Sequence, residues 1–139
     1  MSVTVNVEEL IDTAREAQER AHAPYSDFRV GAALLTENGE MYRACNIEAK
    51  PSANTLHAEQ RVMAKAVEDG HDEFIALGLV TTGDSVLPPC GNCRQTLATF
   101  QEDLIIFVGT DDGYEKFDLD ELLPEAYTGR SKVDAPTEG

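Results

Sequence analysis

The sequence predicts a single α/β domain, a sheet carrying helices on its faces. Three observations carry that reading. The length of 139 residues suits one domain able to bury a core without disulfide staples. The apolar fraction of 42% is that of an ordinary globular protein. Short apolar runs alternate with stretches of helical spacing, the pattern of strands and helices packed in layers. No repeat, linker or low-complexity segment interrupts it. The domain is expected over residues 1–128, with residues 129–139 a polar, frayed tail.

The elements follow in order. "NVEELIDTAREAQERAH" is a helix: Val7, Leu10, Ile11, Ala14 and Ala21 share a face, and Asn6 with Glu9 has the form of a capping box. "PYSD" is a loop. "FRVGAALLT" and "MYRACNIE" read as strands, joined by "ENGE", whose Asn38-Gly39 pair marks a tight hairpin turn. "HAEQRVMAKAVEDG" is a second helix, with Val62, Met63, Ala66 and Val67 at helical spacing and Gly70 placed to cap its end. "FIALGLVT" is a buried strand, "CGNCRQTLATF" a helix behind a proline pair, "LIIFVG" another buried strand, "YEKFDL" a weaker one and "DELLPEAY" a short helix.

Charge narrows the partners. Twenty-six acidic against eleven basic side chains give a formal charge of −15. Such a surface repels phosphate backbones, and no Lys/Arg run offers a local exception, so a nucleic-acid partner is excluded. The acids are spread along the chain and lysine is scarce (Lys50, Lys65, Lys116, Lys132), a composition suited to high internal salt, where screening makes dense like charge tolerable. No stretch reaches the roughly 20 apolar residues of a membrane span. The N-terminus lacks the basic region and apolar run of a secretory signal, and a cytoplasmic location is expected. In a reducing compartment the C-x-x-C among three cysteines points to metal or redox chemistry.

Cys90 and Cys93 are three residues apart, so on a first helical turn their sulfurs share a face, where the helix N-terminus favours thiolate. Two thiolates are too few for tetrahedral zinc. The other soft or borderline candidates are Cys45, His22, His57 and His71. His57 opens a helix; His22 and His71 sit at helix ends, where surface or capping roles are expected. A His-Cys-Cys set leaves the fourth zinc position open, as catalytic sites do, with Glu59 two residues from His57 able to serve as a proton carrier without being a ligand. A structural zinc module would instead need a fourth protein ligand, with Cys45 the candidate. H-x-E followed by P-C-x-x-C is the signature of zinc nucleobase deaminases.

"APYSDFRVGAALLTENGE", "CNIE", "HAE", "PPCGNCRQTL" and "ELLPEAY" together resemble the short-chain cytidine deaminase family over roughly residues 7 to 127. The resemblance implies a three-layer α/β/α fold around a five-stranded mixed sheet, and a homotetramer with one Zn²⁺ per subunit. It also implies hydrolysis of cytidine or deoxycytidine to the uridine nucleoside and ammonia, in pyrimidine salvage. It assigns His57, Cys90 and Cys93 as zinc ligands and Glu59 as proton shuttle. Phe28 matches the aromatic residue on the pyrimidine, Asn46 and Glu48 the pair that holds the ribose hydroxyls, and Ala58 a further substrate contact. Independently, positions 46 and 48 alternate on a strand and share a face. Cys45 and Ile47 would then point to the core, making Cys45 a buried structural thiol.

Two departures from the family stand out. Many short members carry cysteine and arginine where this chain has His57 and Gln60. Three thiolates on Zn²⁺ leave a charge of −1 that invites a cation, whereas two thiolates and an imidazole leave none, so Gln60 fits His57. The segment "AKPSAN", residues 49–54, replaces a tyrosine-bearing stretch beside the base and keeps a second small-molecule substrate open, such as the nucleoside antibiotic blasticidin S.

Overall fold

The computed structural model describes residues 3–83 and 86–127; the expected tail at 129–139 lies outside them. The chain runs α1 (Val7–Gln18), β1 (Val30–Thr36), β2 (Met41–Cys45), a 3₁₀ turn (Ser52–Asn54), α2 (Ala58–Glu68), β3 (Phe74–Thr81), α3 (Gly91–Phe100), β4 (Ile105–Thr110), β5 (Gly113–Asp118) and α4 (Leu119–Leu122). The strands form one sheet in the order β2-β1-β3-β4-β5. Only the β3–β4 pair is parallel, so the sheet is mixed, as expected. Among the described residues no helix is long and apolar enough to cross a membrane.

The core has two halves, one on each face of the sheet. On one, Leu10, Ile11 and Ala14 of α1 pack on Ala33, Leu35, Ala76, Val80 and Phe107. On the other, Val62, Met63 and Leu97 of α2 and α3 pack on Ala32, Leu34, Leu77, Leu79, Ile106 and Val108. Alternate residues of β1 serve opposite layers, which is why that strand is buried along its whole length. Gly31 lets α1 come against the sheet: a Cβ there would lie 2.0 Å from the Ala14 carbonyl oxygen.

Local signals set the element ends. The Asn6 side chain accepts the Glu9 N–H at 3.1 Å and starts α1. Gly39 supplies the positive φ of the hairpin turn. At the end of α2, Gly70 has φ 99°, its N–H reaches the Val67 carbonyl, and the His71 N–H reaches that of Ala66, a paired closure of the last carbonyls. His71 therefore caps with its backbone, while its ring bonds Glu40 at 2.7 Å and Tyr42 at 2.9 Å.

Several expected elements are shorter than predicted; the helix over 6–22 ends at Gln18, leaving Ala21 buried but outside it. The strand over 41–48 ends at Cys45, because Ile47 leaves the ladder to pair with Leu56 and His22. Cys45 is consequently half-buried rather than core; Arg61 donates to its carbonyl at 2.6 Å and lies 3.9 Å from its sulfur. The helix over 120–127 is a single turn, Leu119–Leu122. Pro124 disfavours helical backbone at the residue before it, and Leu123 leaves the helical region at φ −140°, ψ 73°.

Candidate active site

Two helix starts on the same face of the sheet supply the chemistry. His57 is the residue ahead of α2 and Cys90 the residue ahead of α3; both are extended, and neither spends its side chain on capping. Cys93 lies in the first turn of α3 and is fully buried. The ligand atoms of His57, Cys90 and Cys93 all lie within 4.8 Å of one another. Cys45 does not join them, so the fourth protein ligand that a structural zinc would need is missing from the described residues. Arg94 braces the approach to Cys90, donating to the Pro89 carbonyl at 2.6 Å and to the Leu122 carbonyl at 3.1 Å.

The electrostatics of the triad call for a cation. Burial pushes the Cys93 thiol up, and nearby Glu59 and Cys90 push it further. A buried thiolate is thus unfavourable unless a positive ion offsets it, and two sulfurs with one imidazole form a donor set that zinc prefers. The residues fit the metal.

Glu59, in the first turn of α2, is only 6% exposed, and burial raises its carboxyl above the ordinary range. The following residue, Gln60, ties the same turn of α2 to α3 by donating to the Thr96 hydroxyl at 3.2 Å. No cation stands at position 60, consistent with a two-thiolate set.

These groups open onto a cavity of about 370 Å³, within the range of small-molecule sites. His57, Ala58, Glu59 and Cys90 line it together with Phe28, Val30, Asn46, Glu48 and Leu79. All the site residues singled out by sequence except Cys93 therefore line one space, and the Cys93 sulfur lies within 4.8 Å of the ligand atoms of two of them. Asn46 is 7% exposed. Its Oδ1 accepts the Val30 N–H at 2.9 Å and its Nδ2 donates to the Phe28 carbonyl at 2.8 Å. Glu48 accepts the Tyr25 N–H at 2.9 Å, the Ser26 N–H at 3.1 Å and the Ser26 hydroxyl. That hydroxyl first, then the two N–H groups, hold its carboxyl below the ordinary range.

Sequence reasoning missed several contributors. Thr55, Thr81 and Leu87 also line the cavity, and Ser26 and Arg94 act from behind its walls. The altered 49–54 segment is linked to the cavity through the lining residue Thr55, whose side chain bonds Ala49, and the Lys50 ammonium sits 4.3 Å from the centre of the Tyr25 ring.

Comparison with known proteins agrees with this geometry. The family model for the cytidine and deoxycytidylate deaminase zinc-binding region matches residues 4–109. The chain is 40% identical to a cytidine deaminase of Sporosarcina psychrophila over 126 residues, covering 89% of this chain and 93% of that one. The solved cytidine deaminase of Burkholderia pseudomallei superposes with a TM-score of 0.83 at 31% identity, covering 88% of this chain and all of the other. Similarity to the blasticidin-S deaminase of Bacillus cereus is lower, 29% over 128 residues, covering 85% of this chain and 91% of that one.

Proposed function

The chain belongs to the cytidine and deoxycytidylate deaminase family, and from its site we infer that it hydrolyses cytidine and deoxycytidine to uridine and deoxyuridine, releasing ammonia. The observation that carries this is the buried Glu59 carboxyl beside a His-Cys-Cys triad on a cavity that the Phe28 ring and the polar side chains of Asn46 and Glu48 also line.

His57, Cys90 and Cys93 would hold one zinc per subunit. When bound, zinc makes a water molecule a competent nucleophile at neutral pH. The remaining work falls to the chain. Phe28 lies against the pyrimidine face, and Ala58 contacts the base between ligand and proton carrier. Glu59 takes a proton from the attacking water and passes it to ring N3, then takes the proton of the new C4 hydroxyl and gives it to the 4-amino group, which departs as ammonia as the C4 carbonyl forms. Its raised proton affinity suits a group that must both take and give. An ionised carboxylate has about four acceptor positions. Three on Glu48 are filled, leaving one for a sugar hydroxyl, and Asn46 retains one N–H for the same ligand.

The apolar rim supports an oligomer. Phe28 and Leu87, which line the cavity, are 37% and 43% exposed, and Leu56, next in sequence to the lining residues Thr55 and His57, is 51% exposed; a neighbouring subunit would cover them, and a homotetramer is the assembly proposed. A cytoplasmic enzyme of pyrimidine salvage, working at high internal salt, fits the charge of −15. The deciding experiment is a substrate panel with released ammonia as readout. Cytidine and deoxycytidine should be turned over well ahead of blasticidin S. Deamination of blasticidin S alone would overturn the assignment.

A further inference from the structure

We propose that Ser26 is a positioning residue that ties the sugar-facing carboxylate of Glu48 to the aromatic shelf of Phe28, so that a hydroxyl outside the catalytic machinery sets affinity for the nucleoside. The inference deepens the deaminase reading and rests on it.

The hydroxyl of Ser26 makes two bonds at once. It donates to Glu48 Oε2 and accepts the Phe28 N–H at 3.0 Å. The same carboxylate takes the Ser26 and Tyr25 N–H groups on its other oxygen, so the loop wraps a long-range anchor. Phe28 is then fixed at both backbone polar groups, its N–H by Ser26 and its carbonyl by Asn46. Both residues assigned to the sugar thus also hold the residue assigned to the base.

The loop needs this anchor. Asp27, between Ser26 and Phe28, has φ 59°, a left-handed conformation that a side-chain-bearing residue keeps only where its surroundings over-determine it. Besides the bonds to Glu48, the turn is restrained by the Asp27 N–H on the Ala23 carbonyl at 3.0 Å, by Asn46 on the Phe28 carbonyl and by the Lys50 ammonium over the Tyr25 ring. Packing cannot substitute, since residues 24–28 are all exposed. Without the Ser26 hydroxyl the Phe28 N–H loses its acceptor and Glu48 loses its strongest donor. The ring and the carboxylate would then no longer be held in register before substrate arrives. Ordering them becomes a cost of binding, which falls on KM rather than on the chemical step.

The test uses the full-length zinc-loaded protein and its Ser26→Ala and Ser26→Thr variants. For Ser26→Ala the KM for cytidine should rise about five- to twentyfold, the loss expected for a partly exposed bond to a charged group. The kcat should change less than about threefold and zinc content not at all. Ser26→Thr, which keeps the hydroxyl, should return KM to near wild type. Amide hydrogen exchange gives a readout that needs no substrate: the Phe28 N–H should exchange faster in Ser26→Ala, with the amides of α2 unchanged. Unchanged exchange at Phe28, an unchanged KM, or a Ser26→Thr variant as impaired as Ser26→Ala would each overturn the proposal. Failure of the wild-type protein to turn over cytidine would instead overturn the deaminase reading, and exchange at Phe28 would still decide whether Ser26 anchors the loop.

Discussion

Replacing Glu59 with glutamine separates the proton carrier from the metal site. Four side chains on the cavity wall can carry a proton: Glu48, His57, Glu59 and Cys90. Glu48 is engaged by Ser26 and Tyr25, and His57 and Cys90 belong to the ligand triad. None is placed to take over. A single positioned acid–base group contributes 10²–10⁴-fold, and Glu59 serves more than one transfer, so turnover should fall by at least about 10⁴, or about 5.5 kcal/mol of barrier. Unfolding cannot mimic this result. Burial raises the Glu59 pKa above its unfolded value, so its charge costs stability once pH rises through the folded value, and a neutral amide of the same shape removes that cost. Zinc measured by mass spectrometry should stay at one per chain, beside a cytidine-to-uridine absorbance assay for rate. His57→Ala is the contrasting control: it should be zinc-poor, because two cysteines are an incomplete set. A Glu59→Gln protein that loses its zinc, or retains more than about one-hundredth of wild-type turnover, would refute the assigned role.

Three further outcomes test the frame around the site. Gly31→Ala would set a Cβ 2.0 Å from the Ala14 carbonyl oxygen and 2.6 Å from the Gln18 nitrogen. Because backbone must move, it should cost about 3 kcal/mol and lower Tm by about 10 °C in a thermal scan; a shift near zero would mean that α1 is seated elsewhere. The lowered pKa of Glu48 gives a signed pH dependence: its bonds to the loop persist above the unfolded carboxylate value of about 4.3 and are lost as pH falls through the lower folded one. The KM for cytidine should therefore not rise through loss of this carboxylate until pH is below about 4, whereas in Ser26→Ala the rise should begin at higher pH; identical acid limbs in the two proteins would count against the network. With a charge of −15, subunit association should weaken on going from about 2 M to about 0.05 M KCl, as the Debye length grows. Light scattering showing the same assembly at both would assign the acidic surface another cause.

Much of this molecule could be read from short stretches, and the reason is that those stretches are physically local. β3 has its expected limits because its apolar run is bounded on both sides by polar turn residues. The caps of α1 and α2 are written within a few residues of Asn6 and Gly70. Cys90 and Cys93 share a helical turn, and Glu59 lies in the first turn after His57, so their proximity follows from helix geometry. The meeting of the two half-sites is less local, yet the order of the motifs carried it. What could not be read depends on contacts between distant segments. β2 stops at Cys45 because residue 47 has a better partner at Leu56, and nothing in "MYRACNIE" says so.

The same division explains how Ser26 escaped notice while Phe28, two residues on, did not. An aromatic residue in that stretch carries a role in its own chemistry; a serine in a "PYSD" turn reads as turn chemistry alone. Its partner Glu48 is 22 residues away, across a hairpin whose strand ends early. That early end brings the two together. Had β2 continued through Glu48, residues 46 to 48 would have spent their backbone groups on the ladder. Instead the Asn46 carbonyl takes the His22 N–H while its side chain takes that of Val30, and the Glu48 N–H reaches the His22 carbonyl, which draws residue 48 beside the loop that follows α1. The departure from regular pairing at residue 46 therefore does for the sugar side of the cavity what the two helix starts do for the metal side. It aims polar groups into one space from backbone that is fixed elsewhere. Regular elements are legible by their period; the site on this side is built where the period breaks, and only the fold shows which distant segment fills the break.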